Sequence, residues 1–256
     1  MNPDERDTHA YSFGTVAATY DEHRPDYSEA AVRWALSLAP GTRVLDLAAG
    51  TGKLTSVLSR MGVDVTAVEP DEAMLGALRE SLPGVQSLSG SAEDIPLPSG
   101  SVDAIVVGQA LHWFDMSLAG QEMHRVLVHG GTVAALWNFD DDRVPWVAGL
   151  EAAAENTGGA TYTQLQAGDR EAHFAELSVP GLFGEVERAE FPHGQRRTAA
   201  SMTATISTHS RVLMMEPADR EHMLSEVRAY LDTCPETSGG EFTMPLVTAV
   251  LRAARL

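Results

Sequence analysis

The sequence has little cysteine and few basic residues, and each shortage excludes a class of protein. Cys234 is the only cysteine among the 256 residues, so a disulfide framework within this chain is excluded, and the composition fits a reducing compartment. Lys and Arg total 18 against 36 Asp and Glu, which gives a formal net charge of −18. Binding to nucleic-acid phosphates requires clustered cations. We therefore expect no nucleic-acid partner.

Long apolar runs are also missing. No stretch approaches the roughly 18 apolar residues that cross a membrane, and the charged residues 1–7 precede no apolar core of a signal peptide. These absences predict a cytoplasmic protein without a membrane partner. A chain of 256 residues is long enough to bury one sizeable core. We expect a single domain over residues 1–256, present as a monomer or a homodimer.

Short apolar runs alternate with helix-sized segments through the first half of the chain. Such alternation predicts an α/β fold with a doubly wound, mostly parallel sheet. Two helices, at residues 12–22 and 27–39, precede the first strand. The sequence predicts strands at residues 43–48, 64–69, 85–89, 102–107 and 131–137, and a helix at 117–128. After Trp137 this regular alternation of strands and helices ends. Helices are expected at 145–156, 169–177 and through most of 198–232, and strands at 183–191 and 242–253.

The segment Val44–Thr55 joins an apolar strand to a glycine turn and then to a helix. Gly50 and Gly52 allow the backbone to turn tightly and to approach a ligand. A phosphate-binding P-loop is disfavoured, because Leu47 replaces its first glycine and Leu54 replaces its Ser or Thr. A dinucleotide fingerprint fits better, but Thr55 occupies the position of its third glycine. An NAD(P)-dependent oxidoreductase therefore remains an alternative.

The segment Asp46–Gly52 resembles the first motif of class I S-adenosylmethionine-dependent methyltransferases, with Ala48 in place of the first glycine. Alanine disfavours a positive φ at that position. Val68–Asp71 resembles the second motif of the family. The similarity is to the type 11 small-molecule branch and extends over residues 11–137.

The resemblance implies a Rossmann-like seven-stranded sheet, mostly parallel, with an antiparallel C-terminal strand. It also implies an N-terminal helical cap at about 10–40, a cofactor-binding core at about 41–140, and C-terminal strands with a helical lid at about 195–235. The expected cofactor is S-adenosyl-L-methionine, and the expected product is S-adenosyl-L-homocysteine. The resemblance assigns cofactor binding to Phe13, Tyr20, Arg24, Asp46, Ala48, Gly50, Gly52, Glu69, Pro70, Met74, Ala92, Glu93, Gln109, Ala110 and His112.

Individual roles follow from the chemistry of these side chains. Glu69 ends the second strand, where a carboxylate can accept hydrogen bonds from both ribose hydroxyls, although it could instead cap the following helix. Arg24 can pair bidentately with the methionine carboxylate, and Tyr20 can close over it. His112 follows the fourth strand. It is expected to act as a proton-accepting base or as a wall of the pocket.

The predicted activity is methyl transfer to an O, N or C atom of a small molecule, and secondary metabolism is one setting for it. A non-catalytic S-adenosylmethionine-binding regulatory protein is a second alternative. No metal site is expected, because the consecutive acids Asp140–Asp142 cannot converge on one ion and are interpreted as a solvated loop.

Overall fold

The structure is a computed structural model, and it describes residues 26–155, 177, 179–207 and 210–256. The predicted helix at residues 12–22 lies outside these residues, as does the predicted helix at 169–177 apart from Leu177. None of the described helices is both long enough and apolar enough to cross a membrane.

Seven strands form one sheet in the order β3-β2-β1-β4-β5-β7-β6, and β7 runs antiparallel to both of its neighbours. The predicted fold class is confirmed, with the first five predicted strands found close to their expected positions. The strands are β1 (Arg43–Leu47), β2 (Asp64–Glu69), β3 (Gln86–Ser89), β4 (Val102–Gly108), β5 (Leu127–Asp140), β6 (Glu187–Thr198) and β7 (Glu241–Ala254).

Several of the described helices begin at a residue whose side chain accepts hydrogen bonds from their free backbone N–H groups. Asp71 accepts hydrogen bonds from the N–H groups of Ala73 and Met74, and Asp115 accepts one from Ser117. The helices are α1 (Glu29–Leu36), α2 (Lys53–Arg60), α3 (Glu72–Ser81), α4 (Met116–Val126), α5 (Pro145–Glu155), α6 (Ala199–Ser207), α7 (Ser210–Leu213) and α8 (Pro217–Thr233). A 3₁₀ turn at Leu111–Trp113 follows β4.

Both faces of the central strands are buried. Alternate residues, such as Val44 and Val106, face an apolar cluster that includes residues of α1 and α2. Their neighbours, such as Leu45 and Ile105, face a second cluster that includes residues of α4. Burial on both faces explains why these strands are continuous apolar runs in the sequence. Parallel pairing of β1 with β2 and with β4 places the carboxyl ends of these three strands along one edge of the sheet.

The sixth strand is longer and begins later than the sequence predicts. The expected strand at 183–191 is found at Glu187–Thr198, and it contains Pro192 and Gly194, which usually interrupt strands. Pro192 is tolerated because β6 is at the edge of the described sheet, where β7 is its one partner among the seven strands. The helical segment predicted at 198–232 begins at Ala199, close to its expected start.

Helices α6 to α8 form an insertion between β6 and β7, and they share a third apolar core with α5 and the first half of β7. Val147 and Leu150 of α5 pack in that core with Val227 and Leu231 of α8. The Tyr230 hydroxyl of α8 also donates a hydrogen bond to the Trp146 carbonyl at 2.8 Å. Because α5 follows β5 and the insertion follows β6, the insertion lies beyond the carboxyl ends of these two strands.

Candidate functional site

The loop between β1 and α2 contains three residues with left-handed backbone. Ala48 has a φ of 58°, Gly50 one of 58° and Gly52 one of 93°. The positive φ that alanine disfavours is therefore present at Ala48. A non-glycine residue in this region of φ/ψ space is strained, and such strain concentrates at ligand-binding sites.

Ala48 offers a direct test of this strain. We expect Ala48→Gly to stabilise the protein by about 0.5–1 kcal/mol, because relief of the left-handed strain exceeds the entropy that glycine adds to the unfolded chain. Urea denaturation checks this value. The matched control is Ala49→Gly, because Ala49 has no positive φ and its buried methyl group would be lost. That variant should be destabilised, and equal destabilisation of both variants would contradict the strain at Ala48.

The Glu69 carboxylate holds this loop. Its Oε2 accepts a hydrogen bond from the Gly50 N–H at 2.8 Å, and its Oε1 accepts one from the Asp71 N–H at 2.9 Å. Because Asp71 supplies the side-chain cap of α3, Glu69 is not the cap of that helix. Burial raises the pKa of Glu69 above its ordinary value, while the two backbone hydrogen bonds oppose this rise. Each oxygen retains a further lone pair.

Asp46, at the end of β1, is a buried carboxylate with one satisfied oxygen. Its Oδ2 accepts a hydrogen bond from the Thr55 hydroxyl at 2.6 Å. Its Oδ1 has no hydrogen-bond partner among the described residues. Burial raises the pKa of Asp46 to about 7, and the Thr55 hydrogen bond opposes this rise. Thr55, at the position of the third dinucleotide glycine, therefore has a function that sequence reasoning missed.

The two glycines of the loop have different surroundings. A Cβ atom at Gly52 would lie 3.0 Å from Leu78 Cγ and 3.2 Å from Leu82 Cδ1, so Gly52 permits close packing against α3. A Cβ atom at Gly50 would meet only Met74 Sδ, at 3.8 Å. The structure thus brings Gly50, Glu69 and Met74 together, and Pro70 lies between Glu69 and the start of α3.

The segment after β3 joins the same edge of the sheet. The Gly90 N–H donates to the Glu69 carbonyl at 3.4 Å, and Ala92 is buried. Glu93 Oε1 accepts a hydrogen bond at 3.0 Å from the N–H of Asp115, the residue that caps α4. Glu93 therefore links this segment to the start of α4, and it is not a freely solvated loop charge.

The segment after β4 supplies the other side of the site. Gln109 has a φ of 60°, its N–H donates to the Leu136 carbonyl at 2.9 Å, and its side-chain amide donates to the Asn138 carbonyl at 3.2 Å. Ala110 and His112 follow, and His112 is half-buried in the 3₁₀ turn with its ring centroid 4.6 Å from that of Trp113. The turn places His112 at the same sheet edge as Asp46 and Glu69.

Phe13, Tyr20 and Arg24 lie outside the described residues, so their assignments stay predictions. The expected solvated loop at Asp140–Asp142 is wrong for two of its acids. Asp140 and Asp141 are buried, and Asp141 receives two hydrogen bonds from the Arg143 guanidinium, at 2.6 and 2.9 Å. Within the described part of the chain, no three His, Cys, Asp or Glu side chains are grouped to hold a metal ion.

Comparisons with known proteins agree with this geometry. A family model described as a methyltransferase domain matches residues 45–135. An uncharacterized methyltransferase of Mycobacterium bovis is 35% identical over 243 residues, which cover 94% of this chain and 95% of that protein. An uncharacterized methyltransferase of Schizosaccharomyces pombe is 30% identical, and the match covers 88% of each.

Solved structures show the same fold. A candidate type II methyltransferase of Anaeromyxobacter dehalogenans superposes with a TM-score of 0.64 at 25% identity, over 90% of this chain and 97% of that one. An N-methyltransferase of Haemonchus contortus, solved with S-adenosylhomocysteine, gives a TM-score of 0.54 at 13% identity and covers 94% of this chain and 57% of that one. The chain belongs to the class I S-adenosylmethionine-dependent methyltransferases. This membership excludes the oxidoreductase alternative.

Proposed function

We propose that the carboxyl edge of β1, β2 and β4 binds S-adenosyl-L-methionine and transfers its methyl group to an O, N or C atom of a small molecule. The observation that supports this proposal most directly is the pair of backbone hydrogen bonds that Glu69 accepts. They fix the β1 loop around a buried carboxylate. Two of that carboxylate's lone pairs remain for ribose hydroxyls. Small-molecule acceptors, a cytoplasmic location and a monomeric or homodimeric state are parts of the same proposal.

The residues present fit this cofactor. Glu69 would hold the ribose, and the left-handed backbone from Ala48 to Gly52 would allow close approach of the ligand. The unpartnered Oδ1 of Asp46 is a buried acceptor suited to a cationic or N–H-bearing group. Met74 and Ala92 would border the adenine, with the acidic side chain of Glu93 nearby. When bound, S-adenosylmethionine supplies a methyl group on a positively charged sulfonium, which needs no further activation.

The protein's own contribution is alignment. Fixing two reacting groups about 3 Å apart can lower a barrier by roughly 7–11 kcal/mol. We assign His112 to the wall of the pocket beside the reacting methyl group, because the 3₁₀ turn holds it half-buried at this edge. The insertion of α6 to α8 would shape the acceptor side from beyond β5 and β6.

Calorimetry tests the cofactor assignment without knowledge of the acceptor. We expect saturable, stoichiometric binding of S-adenosylhomocysteine and S-adenosylmethionine, with no binding of NADPH. A radiolabelled methyl donor, supplied with pooled phenols, carboxylates, amines and activated carbon acids, then tests transfer. Absence of binding to either adenosyl ligand by the folded protein would overturn the proposed function. Binding without any transfer would instead favour a regulatory protein.

A further inference from the structure

A polar network extends from the candidate site to β6. The Gln109 amide donates to the Asn138 carbonyl, and the Thr248 hydroxyl of β7 donates to Asn138 Oδ1 at 2.6 Å. The ring nitrogen Nε2 of His193, on β6, lies 3.0 Å from the same Thr248 hydroxyl. Four residues from the loop after β4 and from strands β5, β7 and β6 are thus connected by hydrogen bonds.

The network determines which nitrogen of His193 carries the proton. Asn138 Nδ2 donates to the Asp26 carbonyl at 3.2 Å, which fixes Oδ1 as the atom that faces Thr248. Because the single hydroxyl proton of Thr248 goes to that Oδ1, Thr248 Oγ1 can only accept from His193. His193 therefore carries its proton on Nε2. In the neutral ring, Nδ1 has a lone pair, and no described residue forms a hydrogen bond with it.

Burial favours the neutral form of His193, against the opposing effect of a nearby carboxylate. Burial lowers the pKa of the His193 imidazole, and the Asp26 carboxylate opposes this effect. Asp26 is itself 3.7 Å from Lys53 Nζ. Arg197 lies on the same face of β6 as His193, one turn of the alternation beyond Gln195. The carboxylate of Asp140 interacts electrostatically with the Arg197 guanidinium. At neutral pH the ring thus offers a basic nitrogen without a positive charge.

The position of this network fits an acceptor site. β5 continues beyond the end of β4, since Gly108 pairs with Leu136 while Asn138 and Asp140 pair with β7. His193 stands level with Leu246, which is also the partner of Asp140. The network therefore lies beyond the carboxyl end of β4 and connects the loop after β4, through Gln109, to β6. The segment Asp26–Ser28 borders it, since the Ser28 N–H donates to Thr248 Oγ1 at 3.4 Å.

We propose that His193 is the proton acceptor for a neutral, hydroxyl-bearing methyl acceptor, with Thr248 and Asn138 holding its ring in the required orientation. This inference rests on the proposed function. The lone pair of Nδ1 takes the hydroxyl proton, and the acceptor oxygen forms the new bond to the methyl carbon. The electron pair of the broken carbon–sulfur bond stays on sulfur. The proton remains on His193 as an imidazolium until it is released to solvent.

Nitrogen-15 NMR of the histidine side chains tests the inference without any substrate. The signals of His193 are identified by their loss in His193→Gln, which retains an N–H donor toward Thr248. We expect the Nε2–H form in the wild-type protein and a pKa below the ordinary histidine value. In Thr248→Val, which lacks the orienting hydroxyl, we expect a mixture of the two neutral forms. A proton on Nδ1 in the wild-type protein would overturn the proposal.

Methyl transfer to phenols separates a base from a structural residue. At about pH 8, phenol is un-ionised whereas 4-nitrophenol is largely ionised and needs no base. We expect His193→Gln to lower kcat by about 100-fold with un-ionised acceptors but by less than about threefold with ionised ones. The exposed His129, near the start of β5 at the opposite edge of the sheet, provides the control variant His129→Gln, which should match the wild-type protein. Equal losses with both classes of acceptor would show that His193 has only a structural role.

Binding of S-adenosylhomocysteine distinguishes failure of the His193 proposal from failure of the proposed function. We expect His193→Gln to bind this ligand with wild-type affinity, because the His193 ring is hydrogen-bonded to Thr248 of β7 and not to Glu69 or the β1 loop. If the wild-type protein binds it but methylates no hydroxyl-bearing compound in a panel of phenols and alcohols, the proposed acceptor class is wrong while the cofactor site stands. If the ligand does not bind, the proposed function fails as well.

Discussion

Replacement of Glu69 by glutamine will weaken S-adenosylhomocysteine binding by at least about tenfold. The carboxylate accepts the N–H groups of Gly50 and Asp71 and has lone pairs left for the ribose hydroxyls. An amide NH₂ cannot accept a hydrogen bond, so one ribose bond is lost, and a hydrogen bond to a charged group contributes about 1.5–3 kcal/mol. The same NH₂ would face a backbone N–H and leave that buried donor without an acceptor. This loss should also lower the free energy of unfolding by about 1–3 kcal/mol.

Calorimetry and urea denaturation of the same samples measure these two effects. The control is Glu72→Gln, which removes an equal charge three residues further along, where Glu72 is exposed and 3.7 Å from Arg79. We expect this control to bind the ligand normally and to lose less than about 0.5 kcal/mol of stability. Unchanged affinity in folded Glu69→Gln would remove the ribose assignment, while a loss of stability alone would leave Glu69 as a loop clamp.

Asp46 will make the stability of the ligand-free protein depend on pH, in the direction opposite to that of most carboxylates. Its pKa is raised from 3.8 to about 7, so the unfolded chain loses this proton near pH 4 while the folded protein retains it until about pH 7. The stability that the protonated form provides is complete below about pH 4 and is lost as the pH rises to about 7. A shift of about three units corresponds to an upper value of roughly 4 kcal/mol.

We expect Asp46→Asn to remove this slope and to be more stable than the wild-type protein at about pH 8. The measurement is the difference in unfolding free energy between the two proteins, from urea titrations at several pH values between about 4 and 8. Subtraction isolates Asp46 from the other titrating groups. Asp219→Asn, in the exposed first turn of α8, should give a curve parallel to that of the wild-type protein. A parallel curve for Asp46→Asn would contradict the raised pKa.

Sequence reasoning succeeded where the relevant contacts are local or are imposed by the fold. β1, β2, β4 and β5 were predictable because burial on both faces produces apolar runs, whereas the edge strand β3 is polar and partly exposed. The pairing of the Gly50 loop with Glu69, 19 residues later, follows from two adjacent parallel strands that end at one edge. The close packing of Gly52 against Leu78 and Leu82 depends on where α3 lies, and the motif does not specify the position of that helix.

The remaining features depend on distant partners. The strand Glu187–Thr198 is stabilised by β7, about 50 residues later, so local breakers such as Pro192 gave the wrong boundaries. His193 appears isolated in the sequence because Thr248 lies 55 residues away, and Thr248 is 110 residues from Asn138. No local pattern identifies such a network. The helix at 12–22 and the site residues Phe13, Tyr20 and Arg24 stay predictions.

The third apolar core, which the α6 to α8 insertion shares with α5 and β7, has a consequence for how such an enzyme can diversify. Residues that pack α8 against α5 are distinct from those that pack the central sheet, where Asp46 and Glu69 are anchored. Substitutions in the insertion can therefore accumulate, and alter the range of compounds accepted, while the donor site keeps its geometry. Directed evolution toward new acceptors would best concentrate its libraries on residues 199–233 and leave the β1 loop unchanged.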